Sequence, residues 1–122
     1  MARILLIDDD DALREILATV LTRSGHAVAQ ANTGRKGVAM FLAEPTELVI
    51  TDLIMPDQEG IETIVQLRRE HPDVRIIAMS GGVRNSGTYL NLAAKLGAQR
   101  VLGKPFTMAE LLSAVTEVLP KT

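Results

Sequence analysis

Residues 4–11 read ILLIDDDD, a run of four apolar residues followed directly by four aspartates. A short continuous apolar run is typical of a strand that is buried on both faces of a parallel sheet. The aspartates then stand at the carboxyl end of that strand, where Asp10 or Asp11 can cap the helix that follows. The segment therefore predicts a buried first strand with an acidic cluster at its end.

The same alternation continues along the chain, because strand-length apolar runs alternate with stretches whose apolar residues recur at intervals of three and four. Helices are predicted after each strand, and a loop is predicted from Ser80 to Gly87. The last helix begins at a capping box formed by Thr107 and Glu110. Five βα units then fill residues 1–122 as one doubly wound α/β domain with the strand order 2-1-3-4-5. The predicted strands are residues 4–7, 27–31, 48–50, 74–79 and 100–102.

Composition excludes several classes of function. The 122 residues include no cysteine, which excludes disulfides, thiolate metal sites and cysteine nucleophiles. A net charge of -2 gives no strong field to attract nucleic acid or an anionic membrane. The longest apolar run, residues 38–43, is far shorter than the ~20 residues that cross a bilayer. We therefore expect a soluble, cytoplasmic protein with no direct nucleic-acid ligand and no membrane contact.

Ionisable and small polar residues follow four of the five predicted strands. In the predicted strand order the first and third strands are neighbours, so their aspartates meet where the order reverses. Oxygen ligands select a hard cation, and carboxylates together with water and a phosphate group are typical of a Mg²⁺ site. The residues that follow the strands are Asp8 and Asp9, then Asp52, then Ser80-Gly81, and finally Lys104-Pro105.

This set of residues favours phosphoryl-transfer chemistry. A carboxylate oxygen can attack a phosphorus centre when a metal ion neutralises the charge that keeps two anions apart. Phosphoryl transfer depends mainly on positioning and charge neutralisation. The ammonium group of Lys104 and the hydroxyl of Ser80 are suited to hold phosphoryl oxygens.

Five segments, in order, resemble the CheY-like response-regulator receiver domain over essentially the whole chain. The resemblance implies that Asp52 accepts a phosphoryl group from a histidine kinase or a histidine-phosphotransfer protein. It also implies that Asp8, Asp9, Asp52 and the carbonyl of Ile54 hold Mg²⁺ or Mn²⁺. The five segments are LLIDDD (5–10), TDLIMP (51–56), MSGG (79–82), LGA (96–98) and KPFT (104–107).

The resemblance also implies roles for the fourth and fifth strand ends. Ser80 and Lys104 would bind the phosphoryl oxygens, with Gly81 and Pro105 beside them, and the Lys104–Pro105 peptide bond would be cis. The family usually has an aromatic residue three positions before the lysine, where this chain has Val101, and the interval from Ser80 to Lys104 is slightly longer than in the chemotaxis regulators. We take Tyr89 as the candidate substitute for the missing switch aromatic.

The function implied by the resemblance is that of a signalling phosphoprotein rather than an enzyme with an external substrate. It would catalyse only its own phosphorylation and dephosphorylation. Its output surface would be the helix after the fourth strand, the fifth strand and the last helix, which together would control a downstream effector protein. Because no effector domain is present, we expect a stand-alone receiver.

Three alternatives remain open from the residues. The chain is either stand-alone or a receiver module cut from a hybrid kinase or a DNA-binding regulator. Asp8 and Asp10 also suggest a phosphohydrolase of the haloacid-dehalogenase type, although Asp11-Ala12 lacks the threonine or valine which that family needs. A flavodoxin-like binding module is the third, and the scarcity of aromatic residues for flavin stacking argues against it.

Overall fold

The computed structural model describes residues 2–53, 60–81, 91 and 94–119. Within these residues, none of the helices is long and apolar enough to cross a membrane. The strands are β1 (Arg3–Ile7), β2 (Ala27–Ala31), β3 (Leu48–Asp52), β4 (Ile76–Gly81) and β5 (Arg100–Lys104), and the helices are α1 (Asp11–Arg23), α2 (Gly34–Ala43), α3 (Gly60–Glu70) and α4 (Met108–Val118).

The five strands form one parallel sheet with the order β2-β1-β3-β4-β5. This arrangement confirms the predicted doubly wound α/β class. The strand order reverses between β1 and β3, and a crevice at the carboxyl ends of these two strands is where ligands bind in such sheets. Asn91, Ala94 and Lys95 are helical, while most of the predicted helix after β4 lies outside the described residues.

The sheet is buried on both faces, which explains the continuous apolar runs in its strands. Along β1, Leu5 and Ile7 contribute to one core layer, whereas Ile4 and Leu6 contribute to the other. Fully burying each such side chain stabilises the fold by about 1.5–3 kcal/mol. Phe41 of α2 and Ile64 of α3 cover the first face, and Leu17 of α1 and Leu111 of α4 cover the second.

The prediction that a loop starts at Ser80 is wrong for its first two residues. Ser80 and Gly81 belong to β4, since they pair with Gly103 and Lys104 of β5. The prediction failed because a serine and a glycine carry no strand signal of their own, whereas strand pairing is decided by the neighbouring strand. As a result, Ser80 and Lys104 are held in adjacent strands.

Helix caps fall where the sequence places them. The Asp10 side chain accepts a hydrogen bond from the Leu13 N–H at 3.1 Å and so caps α1. At the start of α4 the Thr107 hydroxyl accepts from the Glu110 N–H at 3.0 Å, and the Glu110 carboxylate accepts from the Thr107 N–H at 3.1 Å. The predicted capping box is therefore confirmed.

Replacing Thr107 by alanine should lower the free energy of unfolding by about 1 kcal/mol, because the Glu110 N–H loses its acceptor. Equilibrium urea denaturation measures this loss. Thr107→Ser keeps the hydroxyl and should stay close to wild type. If the alanine and serine variants are equally stable, the hydroxyl does not stabilise this helix.

Candidate functional site

The ends of four strands lie side by side at one edge of the sheet. The strand register pairs Ile7 with Thr51, and Asp52 with Met79. It also pairs Gly81 with Lys104. The residues at or just beyond these ends are the polar ones that the sequence singled out. This edge therefore brings together Asp8, Asp52, Ser80 and Lys104.

Three carboxylates converge at this edge. Asp8, Asp9 and Asp52 each offer an oxygen, and these oxygens lie within 4.8 Å of one another. Asp8 is fully buried, Asp52 is 7% exposed and Asp9 is exposed. The predicted meeting of the aspartates after the first and third strands is confirmed.

Lys104 joins two of the carboxylates. Its Nζ donates to Oδ2 of Asp8 at 3.2 Å and to Oδ2 of Asp52 at 3.3 Å. Burial by itself lowers the pKa of Lys104, but the charges of Asp52 and Asp8 and the hydrogen bonds to both together outweigh burial and raise the pKa above its ordinary value. The stabilisation from this contact is present at neutral pH and is lost as the pH rises through that raised pKa.

Asp8 is fixed on every side. Its Oδ1 accepts from the Asp10 N–H at 3.0 Å, and its own N–H donates to the carbonyl of Ala31 at 3.1 Å. Its carbonyl accepts from Nη1 of Arg14 at 2.8 Å. These contacts hold the Asp8 side chain and both of its backbone polar groups.

Ser80 contributes a hydroxyl at the end of β4. The residue is fully buried, and its Oγ has no hydrogen-bond partner among the described residues. An unsatisfied buried hydroxyl costs about 1–3 kcal/mol, so such a group usually marks a missing partner. Beside it, the Lys104–Pro105 peptide bond is cis, as the resemblance implies.

Two of the predicted site residues, Ile54 and Tyr89, lie outside the described residues. The predicted ligand carbonyl and the candidate switch aromatic therefore remain predictions. Val101 is half-buried and packs against the core layer formed with α2 and α3. A small aliphatic side chain thus occupies the position where the family usually has an aromatic ring.

The donor set fits a divalent cation. All three side chains offer carboxylate oxygens, and their spacing lets one ion contact them together. Mg²⁺ and Mn²⁺ prefer such ligands, with water or phosphate oxygens in the remaining positions. The residues present therefore fit the metal that the sequence predicts.

Arg14 is a residue of this site that the sequence did not single out. It lies on α1 and reaches back to the carbonyl of Asp8, as described above. The sequence signal that could have identified it is a basic side chain three positions after Asp11 on the same helix. Such a pair usually indicates a solvated ion pair on a helix surface.

Comparison with known proteins identifies the family to which the chain is similar. The family model of the response regulator receiver domain matches residues 4–116. The chain is 37% identical over 118 residues to the DNA-binding transcriptional regulator NtrC of Azospirillum brasilense, a match that covers 97% of this chain and 24% of that protein. The first two curated relatives are much longer, since the matches cover 24% and 51% of their lengths.

Solved structures agree with the sequence comparison. The chemotaxis protein CheY4 of Vibrio cholerae is similar with a TM-score of 0.87 and 26% identity, over 98% of this chain and 99% of that one. The response regulator TrrA of Thermotoga maritima, solved in complex with Mg²⁺-BeF, is similar with a TM-score of 0.87 and 29% identity, over 98% and 100% of the two chains.

These comparisons decide between the classes of protein that the sequence left open. They favour a receiver over a haloacid-dehalogenase-type phosphohydrolase and over a flavodoxin-like binding module. Receiver domains are signalling modules of two-component systems rather than enzymes in the usual sense. On its matched residues and its five-stranded fold, the chain belongs to the response regulator receiver domain family.

Proposed function

We propose that this receiver domain is a phosphoacceptor, in which Asp52 takes a phosphoryl group from a histidine kinase or a histidine-phosphotransfer protein. The observation that carries the proposal is the position of Lys104. Its ammonium group bridges the carboxylates of Asp8 and Asp52 at the strand ends, beside a buried hydroxyl of Ser80 that has no partner in the described part of the chain.

The strand order supports Asp52 as the acceptor among the three carboxylates. Asp52 ends β3, which lies between β1 with its acidic cluster and β4 with Ser80. A phosphoryl group on Asp52 would therefore lie between the acidic cluster and the two groups that donate hydrogen bonds. Asp8 is less suited, since its side chain is fully buried, whereas the side chain of Asp52 keeps 10% of its exposure.

In the proposed reaction, a carboxylate oxygen of Asp52 forms a bond to phosphorus while the phosphorus–nitrogen bond of a phosphohistidine breaks. The electron pair of that bond leaves with the imidazole, which then takes up a proton. Lys104 and Ser80 would each donate a hydrogen bond to a phosphoryl oxygen. Asp8, Asp9 and Asp52 would hold Mg²⁺ or Mn²⁺, which supplies neutralising charge at the site.

The output would pass through a surface formed by the predicted helix after β4, by β5 and by α4. In the β4–β5 ladder Ser80 pairs with Gly103, and Gly81 pairs with Lys104. A phosphoryl group that accepts hydrogen bonds from both Ser80 and Lys104 would therefore act on the ends of β4 and β5 together. An added phosphoryl group brings negative charge and acceptor oxygens, which would shift the β4 and β5 ends from one arrangement toward another. The recipient of the signal would be a downstream effector protein.

The test is the intact mass of the protein after incubation with acetyl phosphate and Mg²⁺. Wild type should gain one phosphoryl group, and the Asp52→Asn variant should gain none. A chelator should also abolish the adduct. Asp73→Asn, which removes an exposed carboxylate from the turn after α3, is the matched control and should be modified like wild type.

Two results would contradict the proposal. One is an adduct of undiminished amount in Asp52→Asn, which would assign the acceptor role to another residue. The other is a wild type that stays unmodified by acetyl phosphate and also by a panel of phosphorylated histidine kinases, although it binds Mg²⁺. That result would leave a binding module without phosphoacceptor activity.

A further inference from the structure

Arg14 makes an unusual set of contacts for an arginine on the first turns of a helix. Its side chain is only 12% exposed. Nη1 donates to the carbonyl of Asp8 at 2.8 Å and pairs with Oδ1 of Asp11 at 2.7 Å. Nε donates to Oε1 of Gln30 on β2 at 3.1 Å. One guanidinium group therefore joins α1, the end of β1 and the edge strand.

The contact with the Asp8 carbonyl fixes the peptide between Asp8 and Asp9. The carboxylates on either side of this peptide belong to the acidic cluster, so its orientation sets their relative position. The Asp9 carboxylate accepts no hydrogen bond in the part of the chain that the structure describes. Its position consequently depends on the backbone that Arg14 holds.

Electrostatic attraction to a bound cation cannot explain the place of Arg14. A positive charge beside a cation site repels the cation. The pairing with Asp11 already offsets the charge of Arg14, which leaves the hydrogen bonds as its main contribution. The planar guanidinium can donate in several directions at once, an arrangement that an ammonium group does not reproduce.

We propose that Arg14 is a positioning residue for divalent-cation binding. It holds the Asp8–Asp9 peptide and ties it to β2 through Gln30, so that Asp8 and Asp9 face the same ion as Asp52 before that ion binds. This inference rests on the proposed function only in so far as the acidic cluster binds Mg²⁺. Residues that orient ligands in this way commonly affect metal affinity about 10- to 100-fold.

The test is a Mg²⁺ titration without any phosphoryl donor, in which the NMR amide resonances of Asp9 and Asp10 report binding. Arg14→Met keeps an unbranched side chain but has no donor, and it should bind Mg²⁺ about 10-fold more weakly than wild type. Arg14→Lys keeps the charge and should also bind more weakly, because one ammonium group cannot serve Asp8, Asp11 and Gln30 together. Arg3→Met removes an arginine that pairs with Glu44 at the opposite end of β1, and it should leave the affinity unchanged.

A second measurement separates positioning from a general loss of structure. With acetyl phosphate, the Mg²⁺ concentration for half-maximal phosphorylation should rise in Arg14→Met by the same factor as the dissociation constant. The rate at saturating Mg²⁺ should stay close to that of wild type. A fall in the saturated rate with unchanged Mg²⁺ dependence would overturn the proposal, since it indicates a disturbed acceptor instead.

The sign of the affinity change decides between positioning and charge. Tighter Mg²⁺ binding by Arg14→Met, with wild-type affinity in Arg14→Lys, would overturn the proposal and show that only charge matters. If Arg14→Met does not fold, a wild-type Mg²⁺ affinity in Arg14→Lys is sufficient to overturn the proposal. A wild type that binds no Mg²⁺ would overturn the proposed function and this role together, whereas unchanged binding in both Arg14 variants would overturn this role only.

Discussion

Replacing Gly60 by alanine is expected to lower the free energy of unfolding by about 3 kcal/mol or more and to displace Asp52. A Cβ atom on Gly60 would lie 2.2 Å from the carbonyl oxygen of Asp52 and 2.4 Å from Cα of Leu53. These are backbone atoms at the end of β3, where the Leu53 N–H donates to the Met79 carbonyl at 2.9 Å. Since that backbone is held by the sheet, α3 has to move away from the site.

Gly37→Ala is the matched control for Gly60→Ala. A Cβ on Gly37 would lie 2.3 Å from Cδ1 and 2.7 Å from Cγ1 of Ile7, which are side-chain atoms and can shift more readily than backbone atoms. Alanine also gains about 1 kcal/mol over glycine inside a helix, which offsets part of the crowding. We therefore expect a clearly smaller loss of stability in urea denaturation. Equal losses in the two variants would contradict the idea that backbone contact makes Gly60 special.

Replacing Lys104 by methionine is expected to lower the free energy of unfolding by about 2 kcal/mol at neutral pH in the presence of a chelator. The change leaves the buried carboxylates of Asp8 and Asp52 together without the ammonium group that joins them. Removing one partner from a buried ion pair typically costs about 3–5 kcal/mol, and the partial exposure of Lys104 reduces that figure. Mg²⁺ should stabilise Lys104→Met more than wild type, because it supplies the missing positive charge.

A double-mutant cycle tests the cause of this loss. Adding Asp52→Asn to Lys104→Met removes one of the two like charges, so the double variant should regain part of the lost stability. Lys95→Met, at an exposed helical lysine, is the control and should unfold like wild type. If Lys104→Met is as stable as Lys95→Met in the chelator, the buried carboxylates do not need a cation in the folded protein.

The strand order and the convergence of the aspartates could be predicted from the sequence, because local signals mark the strands and right-handed crossovers then lead to this order. The run ILLI marks a strand buried on both faces, and the residue after each strand marks the ligand edge. The ends of β4 and β5 could not be predicted in the same way. Ser80 and Gly81 join the sheet through pairing with Gly103 and Lys104, which is a long-range interaction.

Two features of the site depend on contacts that the sequence does not reveal. Arg14 donates to Gln30, which comes from a different element. The absence of a partner for the Ser80 hydroxyl in the described structure can be recognised only when its surroundings are known in three dimensions. Sequence patterns report what a residue can do, whereas these features depend on what lies beside it.

The contacts of Lys104 also bear on the order in which the protein folds. Lys104 and Asp8 are 96 positions apart in the chain, and Lys104 and Asp52 are 52 positions apart. Contacts between such distant residues close large loops, and the entropy of loop closure opposes their formation. During synthesis the aspartates emerge long before the lysine does. The acidic cluster therefore acquires its internal counterion only when β5 docks, and the Lys104 contact reports that the ends of β1, β3 and β5 have come together.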